Sequence, residues 1–71
     1  MAIRIELDVM MARRKMKLKD LAVEVGITEV NLSKLKNAHV KAVKLSTLNN
    51  LCKVLSCQPG DIFVFIDEVD D

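Results

Sequence analysis

Leu18, Leu21, Ala22 and Val25 fall at i, i+3, i+4 and i+7, one face of a 3.6-residue helix, and a second helical pattern begins three residues further on. Only Gly26, Ile27 and Thr28 stand between them. A glycine just past the last periodic residue takes the left-handed conformation that ends a helix, and Thr28 is a good N-cap for the next one. Ile27 at N′ and Leu32 at N4 have the spacing of a hydrophobic staple, which fixes the angle at which the chain enters the second helix. Thr28 with Asn31 forms half a capping box, because Asn stands where Glu or Gln would complete it. Residues 17 to 35 therefore read as two helices held at a set angle by a very short turn.

In the second helix Leu32 and Leu35 point inward, and a rotation of about 100° per residue places Val30, Ser33, Lys34 and Asn37 outside, with Glu29 and Asn31 beside them. A narrow apolar inner stripe behind an outer face of hydrogen-bonding groups and a cation suits a recognition helix in the major groove of DNA. The pattern is that of a helix-turn-helix. Any solvated helix also has a polar outer face, so the weight rests on the staple, the glycine and the spacing taken together.

At 71 residues the chain reads as one domain, 1 to 71, and a domain of this size buries only about 60% of its unfolded surface. A partner subunit would add to so thin a core. Phe63 and Phe65 are the only aromatics, which fits a helical core of Leu, Ile, Val and Met and argues against a base-stacking reader of single strands or RNA. The net charge of +1 hides a division. Residues 1 to 44 carry ten Lys or Arg against five Asp or Glu, and residues 45 to 71 carry Lys53 alone against five acids. The basic part contains the candidate recognition helix and attracts phosphate, while the acidic end reads as a solubilising tail.

No apolar stretch approaches the ~20 residues of a membrane span and the N-terminus has no signal-peptide pattern, so a cytoplasmic protein with no membrane contact is expected. Cys52 and Cys57 lie five apart with no second pair, and His39 is thirteen residues before Cys52, which is no zinc spacing. Reduced thiols on or near an apolar helix face are expected, with no metal and no cofactor. Nor do paired carboxylates, a Cys-His arrangement or a phosphate-binding glycine loop suggest an enzyme.

Ile3, Ile5 and Leu7 alternate with Arg4 and Glu6, which predicts a short N-terminal strand over 3 to 6 running into a helix marked by Leu7, Met10, Met11 and Arg14. Arg13, Arg14 and Lys15 crowd the end of that helix, where cations are favoured by the helix dipole alone. Residues 36 to 44 have no clear period and read as a surface loop. Leu45, Leu48, Leu51, Cys52 and Leu55 mark a fourth helix. Pro59 at a first helical position, with Ile62 as an apolar plug, predicts one further turn of helix. Phe63, Val64, Phe65 and Ile66 then read as a strand. The two strands have only each other to pair with, so an antiparallel two-stranded ribbon is expected. Its outer face or edge, at Phe63, Val64, Phe65 and Ile66, is the candidate dimer interface, although the two aromatics could equally pack on their own helices.

With these features in place, residues 7 to 63 resemble the phage-repressor class of regulators, the Cro-like and lambda-repressor-like DNA-binding domains. The resemblance rests on Leu21-Ala22, Gly26-Ile27-Thr28, Leu32-Ser33-Lys34-Leu35, Asn37, Leu45 to Leu48, and Cys57-Gln58-Pro59-Gly60-Asp61-Ile62. That ending, after Leu51-Cys52-Lys53-Val54-Leu55, is similar to a subgroup of very short bacterial and phage regulators. The resemblance implies a mainly α, five-helix lambda-repressor-like bundle that binds operator DNA as a homodimer with its third helix in the major groove. Carried over to this sequence, it places Glu29, Val30 and Lys34 at base-reading positions with Thr28, Asn31 and Ser33 beside them. Lys34 would donate to guanine, Glu29 would accept from cytosine, and Val30 would meet a thymine methyl. Asn37 matches the residue that meets phosphate just after the helix, and Lys17, Lys19, His39 and Lys41 would add backbone contacts.

Three departures from the family pattern stand out. Lys17 and Leu18 replace the Ser-Gln pair that often opens the second helix. Ala38 replaces the glycine that commonly follows the asparagine, so a left-handed residue there is expected to fall to Asn37. Glu29 brings a negative charge to the groove. The expected function is a dimeric, sequence-specific transcriptional regulator of double-stranded DNA, and a repressor, since little of the chain is left over for an effector or activation domain. The alternative is a protein-interaction module, antitoxin-like or an anti-regulator, that turns the same scaffold toward a protein partner.

Overall fold

A computed structural model describes residues 2–67, and the acidic positions beyond Asp67 lie outside the described residues. The order is β1 (Ala2–Ile5), α1 (Leu7–Arg14), α2 (Leu18–Val25), α3 (Glu29–Lys36), α4 (Leu45–Leu55), α5 (Pro59–Ile62) and β2 (Phe63–Ile66). Five helices and a two-stranded ribbon agree with the expected bundle.

The core is the meeting point of the inward stripes. Leu7, Met10 and Met11 come from α1, Leu21, Ala22 and Val25 from α2, Leu32 and Leu35 from α3, Leu51 and Leu55 from α4, and Ile62 from α5. No polar or charged residue is buried among those described. Ile27 packs against this cluster from the turn, as its staple position requires. Val40 and Val43 of the α3–α4 loop also rest on it, which aperiodic sequence does not announce.

β1 and β2 pair antiparallel, with Ile3 opposite Phe65 and Ile5 opposite Phe63. Alternation puts these four side chains on one face of the ribbon. Ile5 and Phe63 sit against the helices, whereas Ile3 and Phe65, both 56% exposed, continue the apolar face into solvent. The two readings of the aromatics thus divide, Phe63 going to its own core and Phe65 outward. The N-terminal strand is displaced one residue from the expected 3 to 6, because Glu6 leaves the ladder to become the N-cap of α1. Its amide donates to the Ile62 carbonyl at 2.6 Å, which ties the start of α1 to the end of α5.

Helix ends account for the other differences. At the end of α3 the Ala38 amide donates to Leu35 at 3.0 Å and the His39 amide to Lys34 at 2.8 Å, the paired bonds of a Schellman motif. That pairing assigns the left-handed residue to Ala38, at φ 61°, while Asn37 keeps φ −94°. The expectation for Asn37 is therefore corrected: the hydrogen bonds choose the position, and side-chain tolerance does not. Leu45 also departs from expectation, at 82% exposed. It lies about 100° round α4 from the centre of the stripe set by Leu51 and Leu55, off the buried face. Arg14 keeps the spacing of α1 but not its burial. It reaches across to cap α4, with Nε donating to the Leu55 carbonyl at 2.7 Å and Nη2 to the Ser56 carbonyl at 3.1 Å.

Candidate nucleic-acid interface

α2 ends at Gly26, φ 86°, and its amide donates to the Ala22 carbonyl, as does that of Ile27. Thr28 then caps α3, its Oγ1 accepting from the Asn31 amide at 3.1 Å. On the far side Asn50 Nδ2 donates to the Val25 carbonyl at 3.4 Å, so α4 braces the same turn. Held at both ends, α3 gives only Leu32 and Leu35 to the core and presents the rest of its length outward.

On that outer surface Glu29, Val30, Asn31, Lys34 and Asn37 are exposed and Ser33 is half-buried. Val30 is 64% exposed, a large apolar residue in an otherwise polar surface. Asn37 Nδ2 lies 3.5 Å from Ser33 Oγ, a long contact that leaves the amide free to turn outward. Lys34 forms a ridge between two recesses. One is lined by Leu18, Glu29, Val30 and Ser33, and the other by Asn31, Lys44 and Thr47. The first recess brings Leu18, at the start of α2, beside the outer face of α3, with the exposed Lys17 next to it in the chain. The second brings the start of α4 to it.

Both flanking starts share an electrostatic property. α2 and α4 begin at Lys17 and Lys44, in extended conformation, and neither has a side chain accepting from its first-turn amides. Uncapped amides and the positive end of a helix dipole form a site for phosphate oxygens, and a lysine at the cap adds to it. Asp20 in the first turn of α2 offsets part of that field. α3, between them, is capped internally by Thr28 and is free to offer side chains.

Of the residues singled out from sequence, the structure gathers Thr28, Glu29, Val30, Asn31, Ser33, Lys34 and Asn37 on or beside one surface, with Lys17 at its edge. Lys19 is exposed on the first turn of α2. His39 is exposed on the loop, and Lys41 lines a separate recess with Ile3 and Phe63, beside the ribbon. Sequence reasoning missed Lys44 and Thr47. Lys44 precedes the first periodic leucine of α4, and the position before a helix was the available signal.

Cys52 and Cys57 are free thiols, both half-buried. Burial pushes the Cys57 thiol up from its ordinary value, helped by the neighbouring Cys52 and Asp61, with Arg14 opposing. The described residues contain no group of three or more His, Cys, Asp or Glu arranged to hold a metal, and no helix long and apolar enough to cross a membrane.

Two helices joined by a glycine turn, the second exposed along a polar face and flanked by two lysine-headed helix starts, define a helix-turn-helix DNA-binding domain. Residues 6–68 match the family of Cro/C1-type HTH DNA-binding domains, and the chain belongs to that family. It is also 54% identical, over 70 residues, to the uncharacterized HTH-type transcriptional regulator YozG of Bacillus subtilis (strain 168), a match that covers 99% of this chain and 83% of that protein. The family is a DNA-binding class and not an enzyme class.

Proposed function

We propose that the protein is a sequence-specific transcriptional regulator that binds double-stranded operator DNA as a homodimer, with α3 in the major groove, and represses by occupying its site. The observation that carries this is the exposed outer face of α3 between the uncapped starts of α2 and α4. Lys34 donates to guanine, Glu29 accepts from a cytosine amino group, and Thr28, Asn31 and Ser33 supply further hydrogen bonds. Lys17, Lys19, Asn37, His39 and Lys41, joined by Lys44, hold phosphate. The name of the Bacillus relative favours the regulatory role, which would be exercised in the cytoplasm.

The second copy is expected at the ribbon, where Ile3 and Phe65 extend an apolar face and each strand has an unpaired edge among the described residues. Light scattering should give the mass of a dimer at micromolar concentration, and Phe65→Lys should give the monomer.

The deciding experiment is selection of bound duplexes from a random-sequence library at about 0.15 M salt, where non-specific phosphate binding is weakened. A two-fold-symmetric site with half-sites about one helical turn apart is expected. Lys34→Ala should then cost about 1–3 kcal/mol and relax one position, while Lys41→Ala weakens all sequences alike. No enrichment by folded protein would refute the DNA reading and favour a protein partner.

A further inference from the structure

α1 to α4 end in the same way. The carbonyls of Met11, Ala22, Lys34 and Cys52 accept from the amides of Met16, Ile27, His39 and Cys57, at 2.9, 3.1, 2.8 and 3.0 Å, with a left-handed residue just before each donor. This closure brings the side chains of the two residues it joins into contact. In α1 and α2 the pairs are Met11 with Met16 and Ala22 with Ile27, and they pack apolar surface into the core. In α4 the same positions hold Cys52 and Cys57, so the turn at Ser56 sets two thiols side by side.

The backbone bond also limits how far apart the two residues lie. A carbonyl oxygen is about 2.4 Å from its own Cα and an amide nitrogen about 1.5 Å from its own, so a bond of 3.0 Å holds the two Cα atoms within about 7 Å. Disulfides span Cα separations up to about 7 Å. The Cys57 thiol is raised first by burial and then by Cys52, whose sulfhydryl is in hydrogen-bond contact with it. Both half-buried cysteines line one recess open to solvent, with Leu48, Lys53 and Gln58, so a small reagent reaches them.

We propose that Cys52 and Cys57 form a redox-modification site, a dithiol that a low-molecular-weight disulfide converts reversibly into an intrachain disulfide. One cysteine thiolate attacks a sulfur of the reagent and expels the first thiolate. The other cysteine then attacks the protein sulfur of the mixed disulfide and expels the second. The two protons lost by the cysteines end on the two released thiolates, and the reagent carries away both electrons as two thiols. Excess reduced thiol reverses the exchange, so in a reducing compartment the bond is transient. The ring it closes, residues 52 to 57, contains the Leu55 and Ser56 carbonyls that Arg14 holds, and it therefore fixes the turn that ties α1 to α4. Neither DNA nor a second copy takes part.

The test equilibrates the full chain in glutathione buffers of set reduced-to-oxidised ratio near pH 8 with a chelator present. Samples are quenched with acid, denatured, alkylated and weighed. The expected product has lost two hydrogen atoms, takes up no alkyl group and carries no glutathione. Cys52 and Cys57 are the only cysteines, so no other pairing within one chain exists. The same series in urea gives the equilibrium for the unfolded chain. The folded chain should favour the disulfide at least about tenfold more, within what closing a short loop contributes. By linkage the disulfide must then favour folding by the same factor, which urea titration of oxidised and reduced protein reads. A folded chain that forms the ring no more readily than the unfolded one would overturn the site. So would glutathione adducts, or a disulfide between two copies, in place of the internal bond.

Discussion

Ala38 occupies a left-handed backbone conformation at φ 61° that an L-residue adopts at a cost of about 1–2 kcal/mol. Glycine removes that cost and gives back about 0.5–1 kcal/mol through the greater freedom of the unfolded chain. Ala38→Gly should therefore stabilise the protein by about 0.5–1 kcal/mol. For a domain of this length each kcal/mol moves the melting temperature by about 4–8 °C, so a rise of about 2–8 °C is expected. The neighbouring residue is the control. Asn37 lies at φ −94°, where glycine relieves nothing, and Asn37→Gly should lower stability. Gly26→Ala supplies the opposite sign: a Cβ there meets nothing within 4 Å, so the backbone strain at φ 86°, less the entropy that alanine removes from the unfolded chain, should leave a loss of about 0.5–1 kcal/mol. Thermal and urea unfolding of the DNA-free protein read all three, with an unchanged urea slope showing that stability alone has moved. If Asn37→Gly stabilised and Ala38→Gly did not, the Schellman assignment, and the geometry of everything after α3, would be wrong.

Arg14→Ala should cost about 1 kcal/mol in denaturant titrations, a value reduced for the solvent exposure of the side chain, because it strips two donors from the end of α4. Arg14→Lys should recover only part of this, since an ammonium lacks the forked geometry. Ile62→Ala, in a fully buried plug, should cost about 2–5 kcal/mol and leave little residual stability by the same titration. The Cys57 thiol is raised in the folded state, so the folded protein holds its proton more tightly than the unfolded chain. Its contribution is complete below the unfolded value and is lost as pH rises through the folded one. Stability measured from pH 8 to 11 should accordingly fall less steeply in Cys57→Ser than in the parent, and alkylation of Cys57 near pH 8 should be slower in folded than in unfolded protein.

The turn between α2 and α3 was legible because local rules converge there. Periodicity, a glycine stop, a threonine cap and a staple all fall within a few residues. The ribbon was legible for a related reason, with alternation at one end of the chain and a β-rich run at the other. What escaped was decided by backbone hydrogen bonds or by distance along the chain. The left-handed position after α3 follows from a pair of amide bonds, and no side-chain preference at Asn37 reveals them. Arg14 finds its carbonyl partners 41 and 42 residues away. Leu45 obeys leucine spacing to its neighbour at Leu48 but drifts off the face fixed by Leu51 and Leu55. At the candidate interface the members on α3 were readable from helical rotation, whereas Lys44 and Thr47 join them only once α4 is packed beside α3.

α3 is fixed from its ends more than from its surface. Only Leu32 and Leu35 anchor its length, while Thr28 and the staple residue Ile27 set its start and the bonds to Leu35 and Lys34 set its finish. Residues that position the helix are thus separate from the residues proposed to meet DNA. Exposed substitutions away from caps and core usually change stability by less than about 0.5 kcal/mol. Glu29, Val30 and Lys34 can therefore vary almost without cost to the fold, whereas Thr28 and Gly26 cannot.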